Sequence, residues 1–251
     1  MSIFEASFPM YEYPETKDAN DKFWEVLGDK LNRLGINSPK GLTRSKDIME
    51  IWTNRNLLIS QTCGYPYRLF LSDKVHLVGT PDIKIDTIQP GYYCSFMVVG
   101  KDKESLARNG EVLAFNDKYS QSGWVAPNLY AKARDIEFTG YFETGGHWHS
   151  AQAVADGKAT LTAIDVFTWK LIERFASFSK KLRIIDTTVP TLGLPIITAQ
   201  KHLVNELYDA MVATINEIDN EVLDVLPFKG LVQLTKKDYL EVEGLDENLT
   251  D

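Results

Sequence analysis

The 251-residue chain has no apolar run near the roughly 20 residues that a membrane helix requires. Its N-terminus, MSIFEASFPMYEYPE, has no basic start, no long apolar segment and no small-residue cleavage site. As written, the chain is expected in the cytoplasm; with a longer native N-terminus, in the periplasm. Two cysteines, Cys63 and Cys94, are too few for a disulfide framework, so reduced, partly buried thiols are expected. A net charge of −8 argues against non-specific nucleic-acid binding, and no nucleic-acid partner is expected. It does not exclude a small anion, because local donors make such a site. The nucleotide motif G-x-x-x-x-G-K-[ST] is missing, and no G-x-G-x-x-G follows a strand. The serine-hydrolase elbow G-x-S-x-G is missing too.

What is present is ordinary globular composition, 44% hydrophobic and 25% charged. The length suits one large domain or two modest ones. Short apolar runs alternate with helical spacing. Strands are expected at about 3–8, 57–60, 75–79, 92–100, 111–115, 137–144, 160–165, 182–186 and 194–198. Helices are expected at about 17–34, 123–134, 149–156, 166–177 and 200–218. The first carries Phe23, Val26, Leu27, Leu31 and Leu34 at helical spacing and stops at Gly35. Such alternation predicts an α/β fold with mostly parallel sheets. Gln89-Pro90-Gly91 and Val189-Pro190-Thr191-Leu192-Gly193 punctuate two places where the chain could pass between halves.

Candidate chemistry gathers at strand-to-helix junctions. Ser120, Gln121, Ser122 and Gly123 follow the run EVLAF. Hydroxyls, a glycine and a helix N-terminus can cradle an anion; the same residues can also simply cap the helix. ETGGHWHS repeats the arrangement, with His147 after two glycines. His147 and His149 form H-x-H, but no third and fourth ligand has suitable spacing, so no metal is expected. Asp165 ends TLTAID and could face the same place or cap the next helix. Tyr11 follows the first strand and could donate its hydroxyl or pack. SQTCGYP, at 60–66, offers another small-residue loop with Gln61 and Thr62. Trp124 and Trp148 adjoin candidate loops; the other tryptophans read as packing. Ser122, His147 and Asp165 also have the types and order of a hydrolytic triad, although the elbow is absent.

MYEYPE, LLISQTCGYP, FNDKYSQSG, ETGGHWHSAQAVADGKATLTAID and TTVPTLGLPIIT follow one another along most of the chain. As a set they resemble the phosphate, phosphite and phosphonate substrate-binding proteins of ABC transporters. The resemblance implies a two-lobed type 2 periplasmic-binding-protein fold, its sheets joined by two crossing strands. Lobe one would be 1–91 plus 190–251 and lobe two 92–189, with a small phosphorus oxyanion in the cleft. It implies that Ser120, Gln121, Ser122 and Gly123 hold the oxyanion, with His147, Asp165 and Tyr11 as further contacts. It implies no cofactor, no catalytic residue and an ABC permease as partner. The alternative is a cytoplasmic ligand sensor or enzyme on the same fold. Gln121 stands where many relatives have a small hydroxyl residue, and Gly146 replaces the usual serine, so this cradle has fewer side-chain donors.

Overall fold

The computed structural model describes residues 4–244. Ile3, the first residue of the expected first strand, lies outside them, as do residues 245–251. The chain runs β1 (Glu5–Ser7), α1 (Lys17–Arg33), α2 (Ile48–Trp52), β2 (Leu57–Gln61), α3 (Gly64–Pro66) and β3 (His76–Asp82). Then come β4 (Tyr92–Tyr93), β5 (Ser95–Gly100), β6 (Glu111–Phe115), α4 (Ala126–Lys132), β7 (Phe138–Glu143), α5 (His147–Ala155), β8 (Leu161–Asp165) and α6 (Val166–Phe175). It closes with β9 (Leu182–Thr187), β10 (Thr191–Leu192), β11 (Ile196–Thr198), α7 (Val204–Glu217), α8 (Asn220–Leu223), β12 (Gly230–Val232) and α9 (Lys236–Leu240). Among the described residues no helix is long and apolar enough to cross a membrane. Cys63 and Cys94 form no disulfide among the described residues.

The chain divides into two compact units. The first is the chain up to Tyr92 together with Leu192–Glu241; the second is Tyr93–Thr191 with the segment from Val242. β4 and β10 pair with each other in a separate two-stranded ladder.

The first unit holds a sheet of order β1-β2-β11-β3-β12. Phe23, Leu27 and Leu31 of α1 are fully buried, at the spacing that puts them on one helical stripe. Burying each such side chain is worth about 1.5–3 kcal/mol. They meet Leu207, Met211 and Ile215 of α7, together with Phe8, Leu58, Ile59 and Phe228. α1 ends where Gly35 takes a positive φ of 79°, which glycine adopts without strain.

The second unit holds a sheet of order β7-β6-β8-β5-β9. β6 pairs in parallel with both β7 and β8. β8 is buried at every position, as a central strand with helices on its faces must be. Ala151, Val154, Trp169 and Ile172 pack over Val98, Ala114 and Ile164.

The α/β class holds, but the sheets are mixed rather than mostly parallel. β11 runs antiparallel to both β2 and β3, and β12 antiparallel to β3. β5 runs antiparallel to β8 and β9. Nothing obliges these strands to be joined by a crossover helix, and an inserted or returning strand can enter a sheet in either direction. The expected strand at 92–100 is broken at Cys94. The expected helix at 123–134 splits. Gln121–Val125 forms a wide turn in which the Val125 N–H reaches the Ser120 carbonyl, and regular α geometry starts at Ala126.

Candidate functional site

Three parallel strands of the second unit bring the candidate residues to one sheet edge. β6, β7 and β8 run the same way, so their carboxyl ends lie side by side, where ligands bind in open α/β sheets. Ser120–Gly123 follows β6, His147 follows β7, and Asp165 is the last residue of β8.

Ser120 Oγ accepts the Gly123 N–H at 3.0 Å, which caps the wide turn. Ser120 Oγ and Ser122 Oγ lie 3.4 Å apart. Ser122 is tied from behind, because Ser95 Oγ on β5 donates to its carbonyl at 3.1 Å. Its own hydroxyl faces outward to His147 Nε2 at 2.8 Å. Glycine at 123 follows from crowding. A Cβ there would sit 2.0 Å from Asn116 Oδ1 and 3.0 Å from His147 Cε1.

The loop before His147 is fastened at both sides. Thr144 donates its N–H and its Oγ1 to the Phe115 carbonyl, at 2.9 and 3.0 Å, and Thr144 Oγ1 meets Ser150 Oγ. Gly145, with φ of 79°, makes the turn. His147 is then the first residue of α5, so its backbone is set by the helix while its ring meets Ser122. The helix thus starts two residues earlier than its periodicity indicates.

Asp165 does two things. Its Oδ1 accepts from the Phe167 and Thr168 N–H groups at 3.1 and 2.9 Å, an N-cap for α6. Its Oδ2 stands 3.7 Å from His147 Nε2. Burial pushes the His147 pKa below its ordinary value, while the Asp165 charge and the Ala163 carbonyl pull the other way. Burial thus works against the charged imidazole. Burial, and then Asp165, push the Cys94 thiol up, so it is neutral.

Ser120, Gln121, Ser122 and Asp165 are each at most 5% exposed. Charge among these buried residues is felt more strongly than in water. The geometry does not form a hydrolytic triad. Such a triad needs the carboxylate on Nδ1 and the hydroxyl on Nε2. Here Ser122 and Asp165 approach the same nitrogen, Nε2, and Nδ1 makes no hydrogen bond to a carboxylate. Among the described residues no group of three or more His, Cys, Asp or Glu could hold a metal ion.

The structure thus assembles Ser120, Gln121, Ser122, Gly123, His147 and Asp165. Tyr11 belongs to the first unit, where it is buried at the end of the turn Pro9–Tyr11 and its carbonyl accepts from Thr16 Oγ1 at 2.7 Å. Gln61 Nε2 reaches the Leu194 carbonyl at 3.4 Å, so its side chain braces that unit. Trp124 stacks with Phe115 and Tyr141, at 4.5 and 5.0 Å between ring centres, and Trp148 meets Phe178 edge-on; both read as packing. Two site residues escape the sequence reading. Ser95 acts from a strand of opposite direction, and Asn116 acts through the space that Gly123 leaves.

The description "ABC transporter, phosphonate, periplasmic substrate-binding protein" belongs to a family model that matches residues 59–239. No curated protein matches the chain. Several solved structures share its fold. PhnD1 from Prochlorococcus marinus, in complex with methylphosphonate, is 14% identical with a TM-score of 0.72, covering 94% of each chain. A binding-protein component of an ABC phosphonate transporter from Pseudomonas aeruginosa is 16% identical with a TM-score of 0.72, over 95% of this chain and 83% of that one. XAC2383 from Xanthomonas citri, bound to ATP, is 14% identical with a TM-score of 0.70, over 100% of this chain and 96% of that one.

Proposed function

Because the chain belongs to the phosphonate substrate-binding proteins of ABC transporters, with their two-lobed type 2 periplasmic-binding fold, we propose that it captures a small phosphorus oxyanion at Ser120–Gly123. The protein is a solute-binding protein; the identity of its solute is the proposal. The observation that carries it is the convergence of Ser122 Oγ and His147 Nε2 beside the start of a helical segment that runs from Gln121 to Lys132. Hydroxyls and first-turn N–H groups are donors suited to oxyanion oxygens. His147 donates from the start of α5, with Asp165 Oδ2 beside it. No chemical step is required of any of these residues. The proposed partner is the permease of an ABC transporter, met on the outer face of the membrane, as the family description implies.

A thermal-shift series tests this. Methylphosphonate, phosphite, phosphate, 2-aminoethylphosphonate, sulfate and ATP are each added to the folded protein. A ligand at 100 times its Kd stabilises the folded state by about 2.7 kcal/mol, enough to move Tm by a few degrees at this size. We expect the shift with at least one small phosphorus oxyanion. A shift with ATP alone favours a nucleotide ligand instead, such as the one held by the Xanthomonas citri protein. No shift with any small phosphorus oxyanion overturns the proposal.

A further inference from the structure

The wide turn at Gln121–Val125 leaves one buried backbone group without a helical partner. In it the Val125 N–H reaches back to the Ser120 carbonyl at 3.0 Å, and the Ala126 N–H to the Gln121 carbonyl. The next donor in this series would serve the Ser122 carbonyl, but residue 127 is proline and has no N–H. A buried carbonyl must then find its donor elsewhere. Ser95 supplies it, through Oγ at 3.1 Å. The other end of the same peptide unit is held as well, because the Gly123 N–H donates to Ser120 Oγ at 3.0 Å. A planar peptide gripped at both its oxygen and its nitrogen is held against rotation. That fixes the backbone from which the Ser122 hydroxyl reaches His147 Nε2. Ser95 is itself immobilised. Its N–H donates to Thr188 Oγ1 at 2.9 Å, and its carbonyl accepts the Thr188 N–H at 2.9 Å. Both residues are buried. Ser95 also stands directly opposite Asp165 in the β5–β8 ladder, so one frame carries the carboxylate beside His147 and the hydroxyl behind Ser122.

Resting on the anion-binding reading above, we propose that Ser95 is a positioning residue for oxyanion capture: its hydroxyl stands in for the N–H that Pro127 lacks, and Thr188 holds it there. Ser95 is not itself a ligand contact. It acts by setting the Ser122–Gly123 peptide, and through it the direction of the Ser122 hydroxyl. Donors that are already in place bind a ligand more tightly than donors that must first be ordered. The dependence on Pro127 separates this role from packing. Alanine at 127 restores an N–H at that point of the turn, and the hydroxyl at 95 is then no longer needed.

Ser95→Ala, Pro127→Ala and the two combined, each in the whole protein, test this. Titration calorimetry with methylphosphonate is expected to show binding about tenfold weaker in Ser95→Ala, the worth of roughly one hydrogen bond. On the Pro127→Ala background the same change at Ser95 is expected to cost no more than about threefold, a non-additivity that packing alone does not produce. A second readout needs no ligand. The nitrogen NMR resonance of His147 Nε2 reports the Ser122 hydroxyl. In Ser95→Ala it is expected to move toward its position in Ser122→Ala, and in the double variant to return. A residue that only packs lowers Tm and leaves both readouts in place. If Ser95→Ala does not fold, the double variant decides: recovery of the fold and of the His147 resonance supports the inference, and failure to recover them overturns it. A folded Ser95→Ala protein with wild-type affinity and an unmoved His147 resonance overturns it too, as does an equal cost of Ser95→Ala with and without Pro127. A wild-type protein that binds none of methylphosphonate, phosphite and phosphate overturns the anion-binding reading instead. The His147 resonance then still decides whether Ser95 sets Ser122.

Discussion

Ser122→Ala combined with His147→Ala is expected to leave a folded protein that no longer holds the proposed oxyanion. In the proposed site each residue supplies a hydrogen bond to the charged ligand, worth about 1.5–3 kcal/mol. Losing both weakens binding at least about a hundredfold. The fold tolerates the change for a specific reason. The two side chains bond to each other, at 2.8 Å, so removing both leaves neither partner stranded. The Asp165 cap stays, because its Oδ1 serves backbone N–H groups and not His147. The turn at Ser120 stays, because its cap is Ser120 Oγ. Circular dichroism checks the fold of the double variant and calorimetry its affinity. A folded double variant that keeps wild-type affinity contradicts the assignment.

Glu111→Ala costs about 3 kcal/mol of stability, the low end for removing one partner of a buried pair. Glu111 opens β6 and is 1% exposed. Its carboxylate accepts from the Lys103 ammonium, from the Ala107 N–H at 2.7 Å and from Thr160 Oγ1 at 2.6 Å. These bonds fasten the 101–110 segment and the start of β8 to the strand that carries Ser120–Gly123. Lys103 is partly exposed and regains water when abandoned, which keeps the cost low in the range. Burial works against the charged carboxylate, but Lys103, Thr160 and Ala107 outweigh it, so the Glu111 pKa lies below its ordinary value. A lowered folded-state pKa means stability that is present above the ordinary carboxylate range and lost as pH falls through the lowered value. The penalty of Glu111→Ala, measured by denaturant melts, is therefore expected to be full at pH 7 and to shrink in strong acid. A penalty that is the same at both pH values contradicts this account of Glu111.

Much of this was legible in the residues. LLIS reads as a buried strand and TLTAID as a strand because they are short, largely apolar runs of the right length, and the strands Leu57–Gln61 and Leu161–Asp165 are buried throughout. Ser120–Gly123 and His147 stood out because small and polar residues interrupt apolar runs at strand ends, where backbone must turn. Strand direction was not legible, since the period of two is the same either way. The antiparallel direction of β5 and β11, and with it Ser95 behind Ser122, is therefore not readable from the sequence. Asn116 was missed because its contact with Gly123 depends on a space only the folded loop defines. The wide turn at Gln121–Val125 has no periodic signature of its own. α9 is a different case. Thr235 and Asp238 form a capping box with the spacing that announces one, and it was open to reading.

The most direct test of the central claim is the position of the ligand itself. A crystal structure of the protein with methylphosphonate is predicted to place the phosphonate group within hydrogen-bond distance of Ser122 Oγ and His147 Nε2. Methylphosphonate bound elsewhere, with Ser122 and His147 still joined to each other, would contradict it.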